Sequence, residues 1–132
     1  MPNQLTDLKA ILAALDVYAR DEAYVVATVD DGSPAVSDAH ATIAENEGIT
    51  VVLPEGAARR HGIVGEPTFA WLTLTVFTSF EAVGLTAAFS AALADANISC
   101  NVLAGYHHDH LLVPSRDHDR ALQVLRGLRS TP

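Results

Sequence analysis

The run Phe69–Pro114, FAWLTLTVFTSFEAVGLTAAFSAALADANISCNVLAGYHHDHLLVP, constrains the fold most, because its apolar spacing switches between the two periods of regular structure. Trp71–Phe77 alternates around Leu72, Leu74 and Val76, the period of a strand. From Leu85 the apolar residues recur as Ala88/Phe89, Ala92/Leu93 and Ala96, the spacing of one buried helix face, and Asn97 stops it. Ile98–Ala104 alternates again, Gly105–His108 turns, and Asp109–Val113 returns before Pro114 ends the pairing. The order strand, helix, strand, turn, strand is most of a split βαβ unit, and the amphipathic stretch Ser115–Leu128 supplies its second helix.

That unit lacks a last strand: after Leu128 only Arg129–Pro132 remain. An uncovered position would leave a hydrophobic sheet edge open. The first half of the chain is the expected donor, and a second copy of the chain is the alternative. In that first half, Leu5, Leu8, Ile11/Leu12 and Leu15 keep helical spacing, with Asn3 or Thr6 able to cap. Asp16–Glu22 reads as a polar connection or edge segment, and Tyr24–Val29 as a strand closed by Asp30-Asp31-Gly32. Ser33–Asp38 reads as loop and Ala39–Ala44 as a weak strand. Glu45–Gly48 forms a hairpin turn, Ile49–Leu53 a strand, and Glu55–His61 a short helix begun by Pro54. Gly62–Pro67, with two glycines and one proline, is a plausible linker. The halves, 1–65 and 66–132, share a plan of elements without a residue-by-residue repeat.

Composition narrows the function. Sixteen acidic against eight basic residues give a formal net charge of −8, which opposes docking on nucleic-acid phosphates or anionic lipid. Hydrophobic residues make up 49% of the 132, enough for a packed core. Cys100 is the single cysteine, so no internal disulfide forms, and its strand position suits a small packed side chain better than a nucleophile. The start MPNQLTDLK has no basic stretch followed by an apolar block, and no apolar run reaches membrane-spanning length. A cytoplasmic protein, binding neither membrane nor nucleic acid, is expected.

Three groups of residues carry chemistry. Thr78–Gly84 joins a strand end to a helix start, where backbone N–H groups lack helical acceptors and favour an anion such as a carboxylate. Gly84 would let a ligand approach that backbone. The plainer alternative is that Ser79 or Glu81 caps the helix and Gly84 serves packing. Asp109 begins a strand whose neighbours Leu111–Val113 look buried, so its carboxylate needs a partner: a ligand's ammonium or guanidinium, its own turn, or a histidine. His107, His108 and His110 have a zinc-ligand type, but on an extended strand His108 and His110 face away from His107 and Asp109. No metal site and no cofactor are therefore expected. There is no nucleophile elbow, phosphate-cradling loop or ordered acid–base pair, so the chain reads as a non-enzyme.

The segment TLTVFTSFEAVGLTAAFSAALADANISCNVLAGYHHDHLLVP resembles the small bacterial ACT-domain proteins related to the cytosolic arginine sensors of animals. Their pattern is a strand, S-x-E-A-V-G-L-T-A-A, a helix, G-I-S-C-N-V and a G-Y-x-H-D-H-L-x-V-P hairpin. The match covers about a third of the chain and continues more loosely on both sides. Phe77 stands where histidine is common, Asn97 where glycine is, and His107 where a second tyrosine is. The resemblance implies an α+β fold of two tandem ferredoxin-like lobes, with antiparallel sheets and helices on one face. It also implies a regulatory sensor of a free amino acid, acting as a possible homodimer or on a regulated protein partner. Val83, Gly84, Leu85 and Thr86 would hold the ligand's carboxylate, Asp109 its amino or guanidinium group, and Gly105 and Tyr106 would flank it. The alternatives are a protein–protein interaction module with a vestigial pocket, and a metal-dependent hydrolase using His107, His108 and His110.

Overall fold

The computed structural model describes residues 8–75 and 84–130. Its elements are α1 (Leu8–Ala14), β1 (Val17–Ala19), β2 (Tyr24–Val29), β3 (Ala41–Glu45), β4 (Gly48–Pro54), α2 (Glu55–Arg60), β5 (Phe69–Leu74), α3 (Leu85–Asp95), β6 (Asn101–Ala104), β7 (Asp109–Pro114) and α4 (His118–Gly127). The expected loop Ser33–Asp38 contains a 3-10 turn over Pro34–Asp38, because Ser33 accepts a hydrogen bond from the Ala35 N–H and Pro34 presets the first φ.

All strands pair antiparallel in one sheet of order β3-β4-β2-β5-β7-β6, with β1 also on β5. Two ferredoxin-like lobes meet where Tyr24 of β2 pairs with Phe69 of β5. The strand order reads the same from either end when β2, β4 and β3 are exchanged for β5, β7 and β6. Registers agree as well: Tyr24 opposes Pro54 as Phe69 opposes Pro114. The Glu55 N–H donates to Ala23 O at 2.9 Å, as the Ser115 N–H donates to Thr68 O at 3.0 Å. An approximate twofold axis therefore passes beside the Tyr24–Phe69 pair.

The strand missing from the second lobe is β1. Val17, Tyr18 and Ala19 pair with Leu74, Thr73 and Leu72. Arg126 Nη2 donates to Val17 O at 2.9 Å, Arg129 Nε donates to Leu15 O, and Arg129 Nη2 lies 2.6 Å from Asp16 Oδ1. Two basic side chains from the C-terminal end thus hold β1 and its approach in place. Ile11, Leu12, Leu15 and Val17 enter the same core as Leu72, Leu74, Phe89, Leu93, Leu111, Val113, Ala121 and Leu125. The smaller core of the first lobe joins Val25, Val51 and Leu53 to Ala35, Ala57 and Ala58.

Both ends of α3 depend on residues that accept left-handed backbone. Gly84 precedes it at φ +100°, and a Cβ there would lie 3.0 Å from Leu8 Cδ2. At the other end Asn97, where glycine is common among the relatives the sequence resembles, has φ 60°. Its N–H reaches Ala94 O and that of Ile98 reaches Leu93 O, both at 2.9 Å, which satisfies the orphan carbonyls and packs Ile98 beside Leu93. The following strand accordingly starts at Asn101 rather than Ile98.

Strand pleating sorts side chains to two faces. Leu72, Leu74, Leu111 and Val113 lie under the helices, whereas Tyr24, Val52, Trp71 and Leu112 form a separate cluster on the open face.

Candidate functional site

The residues singled out from the sequence fall on two features of the second lobe. Ala88 N–H is bonded to Gly84 O at 2.9 Å, so the amides of Leu85, Thr86 and Ala87 precede the first helical bond of α3. The Leu85 side chain is only 4% exposed and belongs to the core, which leaves its backbone as the part able to meet a ligand. Thr86 is exposed, while Val83, together with Phe77, Ser79 and Glu81, lies outside the described residues.

The β6–β7 hairpin collects the others. Gly105 N–H donates to His108 O at 2.9 Å, and a Cβ on Gly105 would stand 2.9 Å from that oxygen and 3.0 Å from His110 Nε2. Tyr106 is 83% exposed and meets His107 edge-on at 5.0 Å between ring centroids. Asp109 is half-buried at the start of β7, opposite Ala104. Alternation puts it on the helix-covered face with Leu111 and Val113, one position beyond the Thr73–His110 pair. This is the end of β5 from which the chain leaves toward α3. Among the described residues, the Asp109 carboxylate forms no hydrogen bond or ion pair, although its backbone belongs to the β6–β7 ladder.

A second constellation, not anticipated from the sequence, occupies the open face. Arg20 continues the alternation of β1, and its N–H donates to Trp71 O at 3.0 Å. Its guanidinium carbon sits 3.9 Å from the centroid of the Trp71 ring. Nη1 donates to His40 Nδ1 at 3.0 Å and to Tyr24 Oη at 3.2 Å. Across the ring, Trp71 Nε1–H donates to His110 Nδ1 at 3.1 Å, and Thr73 Oγ1 lies 2.9 Å from the same atom. Because an indole N–H can only donate, Nδ1 of His110 is an acceptor and its proton resides on Nε2.

Of these side chains, Arg20, His40, Trp71 and His110 line a cleft of ≈ 440 Å³ that also touches both outer strands, at Ala41–Ile43 of β3 and Val102–Ala104 of β6, and reaches Gly105 of the hairpin. The sheet therefore curls, bringing its two ends toward one space. Only the alternation of Trp71, Thr73 and His110 signals this site in the sequence; Arg20 falls in the segment that reads as a polar connection.

Burial lowers the His110 pKa below its ordinary 6.5, with the Arg20 charge and His108 adding to the effect and Asp109 opposing it. Protonating Nδ1 would also set a donor against the Trp71 N–H. The unfolded chain thus binds a proton near pH 6.5 that the folded chain takes up only at lower pH, so stability falls as pH drops below 6.5. Urea denaturation from about pH 7.5 to about pH 5.5 should show this loss, and His110→Gln should flatten the slope. An unchanged slope would contradict the assignment.

Elsewhere, His108 Nδ1 is buried and bonded to no described residue. Burial raises the Cys100 thiol pKa, in keeping with a packed side chain. Among the described residues, no group of three or more His, Cys, Asp or Glu is arranged to hold a metal ion, and no helix is long and apolar enough to cross a membrane.

Two family models, both described as ACT domain, match the chain, one over residues 67–127 and the other over residues 4–70. The second spans half of the chain by itself. The chain belongs to the ACT-domain family. Its two lobes are tandem ACT domains on one sheet. A solved Vibrio cholerae protein of unknown function, described as a possible transport protein, is 39% identical, with 92% of this chain and 95% of that chain aligned at a TM-score of 0.83. An Agrobacterium tumefaciens protein is 16% identical over 87% of this chain and 89% of its own, at a TM-score of 0.64. The ligand-free regulatory subunit of aspartate kinase from Thermus thermophilus is 9% identical over 85% and 95%, at a TM-score of 0.63. The last two share the fold alone. No curated protein sequence matches the chain.

Proposed function

We propose that this tandem ACT protein is a non-catalytic sensor of a free amino acid. In this reading the ligand's α-carboxylate rests on the backbone amides of Val83, Gly84, Leu85 and Thr86, at the positive end of the α3 dipole. Asp109 answers its ammonium or guanidinium group, and Gly105 and Tyr106 flank it. The observation that carries the reading is Asp109: half-buried, without a described polar partner, and at the sheet end from which the chain turns toward α3. Such a carboxylate is stabilised by an arriving cation. Membership of a family whose domains are typically regulatory agrees with it.

Binding regulates only if the ligand prefers one arrangement of the lobes, or of two chains, over another. Calorimetric titration with each of the twenty amino acids is expected to find one or a few binders. Asp109→Ala should weaken them by about 2 kcal/mol or more, roughly thirtyfold, while leaving the fold intact. Silence from all twenty would remove the proposal.

A further inference from the structure

Arg20 is half-buried against Trp71, and among the described residues no carboxylate lies within ion-pair distance of it. Only Nη1 is engaged by described side chains, which leaves the Nε and Nη2 edge of the guanidinium for another acceptor. The described lining of the cleft includes no acidic residue, although the chain carries sixteen acids and a net charge of −8. Taking a cation partly out of water without a counter-charge is unfavourable, so its retention here asks for an anion.

The surrounding groups define which anion. His40 and His110 both accept an N–H at Nδ1, which leaves Nε2–H of each as a donor. The site then offers the permanent charge of Arg20 beside imidazole donors, a match for a small anion. Arginine's planar edge fits a carboxylate through two parallel hydrogen bonds. Ile43, Val102 and Leu103 supply an apolar wall for the rest of the molecule, with the Trp71 ring beneath Arg20 at its floor. A volume of ≈ 440 Å³ falls in the range of about 300–1,000 Å³ typical of small-ligand sites.

We propose that the cleft on the open sheet face binds a small organic carboxylate, its carboxylate on the free edge of Arg20 and its apolar body against Ile43 and Leu103. This site lies on the face opposite Asp109 and shares with the amino-acid reading only the backbone of Gly105, so it stands without that reading.

Trp71 is the only tryptophan, so its fluorescence reports on the cleft directly. The intact protein would be titrated with benzoate and 4-methylpentanoate, and with benzylamine as a cation of similar shape, to about 10 mM, with calorimetry alongside. A saturable change with at least one carboxylate and none with benzylamine is expected. Arg20→Gln should weaken binding about tenfold or more, and Arg20→Lys less, because the lysine keeps the charge without the planar edge. Ile43→Glu, at a position 48% exposed where folding tolerates a charge, should repel the carboxylate to a similar degree. Asp109→Ala should leave carboxylate binding unchanged. The proposal is overturned if neither carboxylate saturates by either measurement, if benzylamine binds equally, if Ile43→Glu has no effect, or if Asp109→Ala abolishes the response.

Discussion

A chain starting at Arg20 is expected to lose cooperative folding. The removed segment carries Ile11, Leu12, Leu15 and Val17, all buried in the larger core, and the strand that covers the β5 edge. Burying each such side chain contributes about 1.5–3 kcal/mol, so the four together supply on the order of 10 kcal/mol. That rivals the whole stability of a domain this size, about 5–15 kcal/mol. The first lobe does not rescue the remainder, since its core is built from three large aliphatics and three alanines. Circular dichroism in a urea titration would show a broad transition without a native baseline. Adding a synthetic peptide of residues 1–19 should restore the sigmoid. A truncated chain that unfolds at the parent midpoint would disprove the closure by β1.

Trp71→Ala is expected to destabilise the fold by about 3–5 kcal/mol. The indole is 3% exposed and packs with Tyr24 at 5.1 Å and His110 at 5.3 Å between ring centroids, beneath Arg20. Tyr24 and Val52 come from one lobe, Trp71 and Leu112 from the other, so the loss falls on the seam between the two domains. Trp71→Phe separates packing from polarity: it retains most of the apolar area and gives up the N–H to His110, a cost of about 1 kcal/mol. Denaturation midpoints of the two variants should differ accordingly. Equal, small effects would mean that the open-face cluster adds little to cohesion.

Much of the fold is legible in the sequence because its long elements hold one period each. Leu85–Ala96 and Ser115–Leu128 show the helix faces that the structure buries, and the Gly105–His108 turn delivers Asp109 to a strand start. The sequence shows that the second lobe needs one more strand without showing where it lies. β1 is three residues long, too short for alternation to show, and its pairing with β5 joins residues far apart in sequence. The sequence shows the repeat only as a shared order of elements, because the closer likeness resides in register and backbone path. Val113-Pro114 echoes Leu53-Pro54, yet His108 stands in the hairpin where the first lobe has Gly48. The cleft was hidden for a related reason: Arg20, His40, Trp71 and His110 converge only through strand pairing.

The approximate dyad beside Tyr24 and Phe69 carries a corollary for stoichiometry. Superimposing one hairpin on the other by their shared register sets Ile49 where Asp109 stands, and the short Pro34–Asp38 turn where α3 stands. Duplicated architecture has thus been left with an acid on one side and a hydrocarbon on the other. If Asp109 grips an ammonium group, a chain with two halves of like plan saturates at a single equivalent of amino acid.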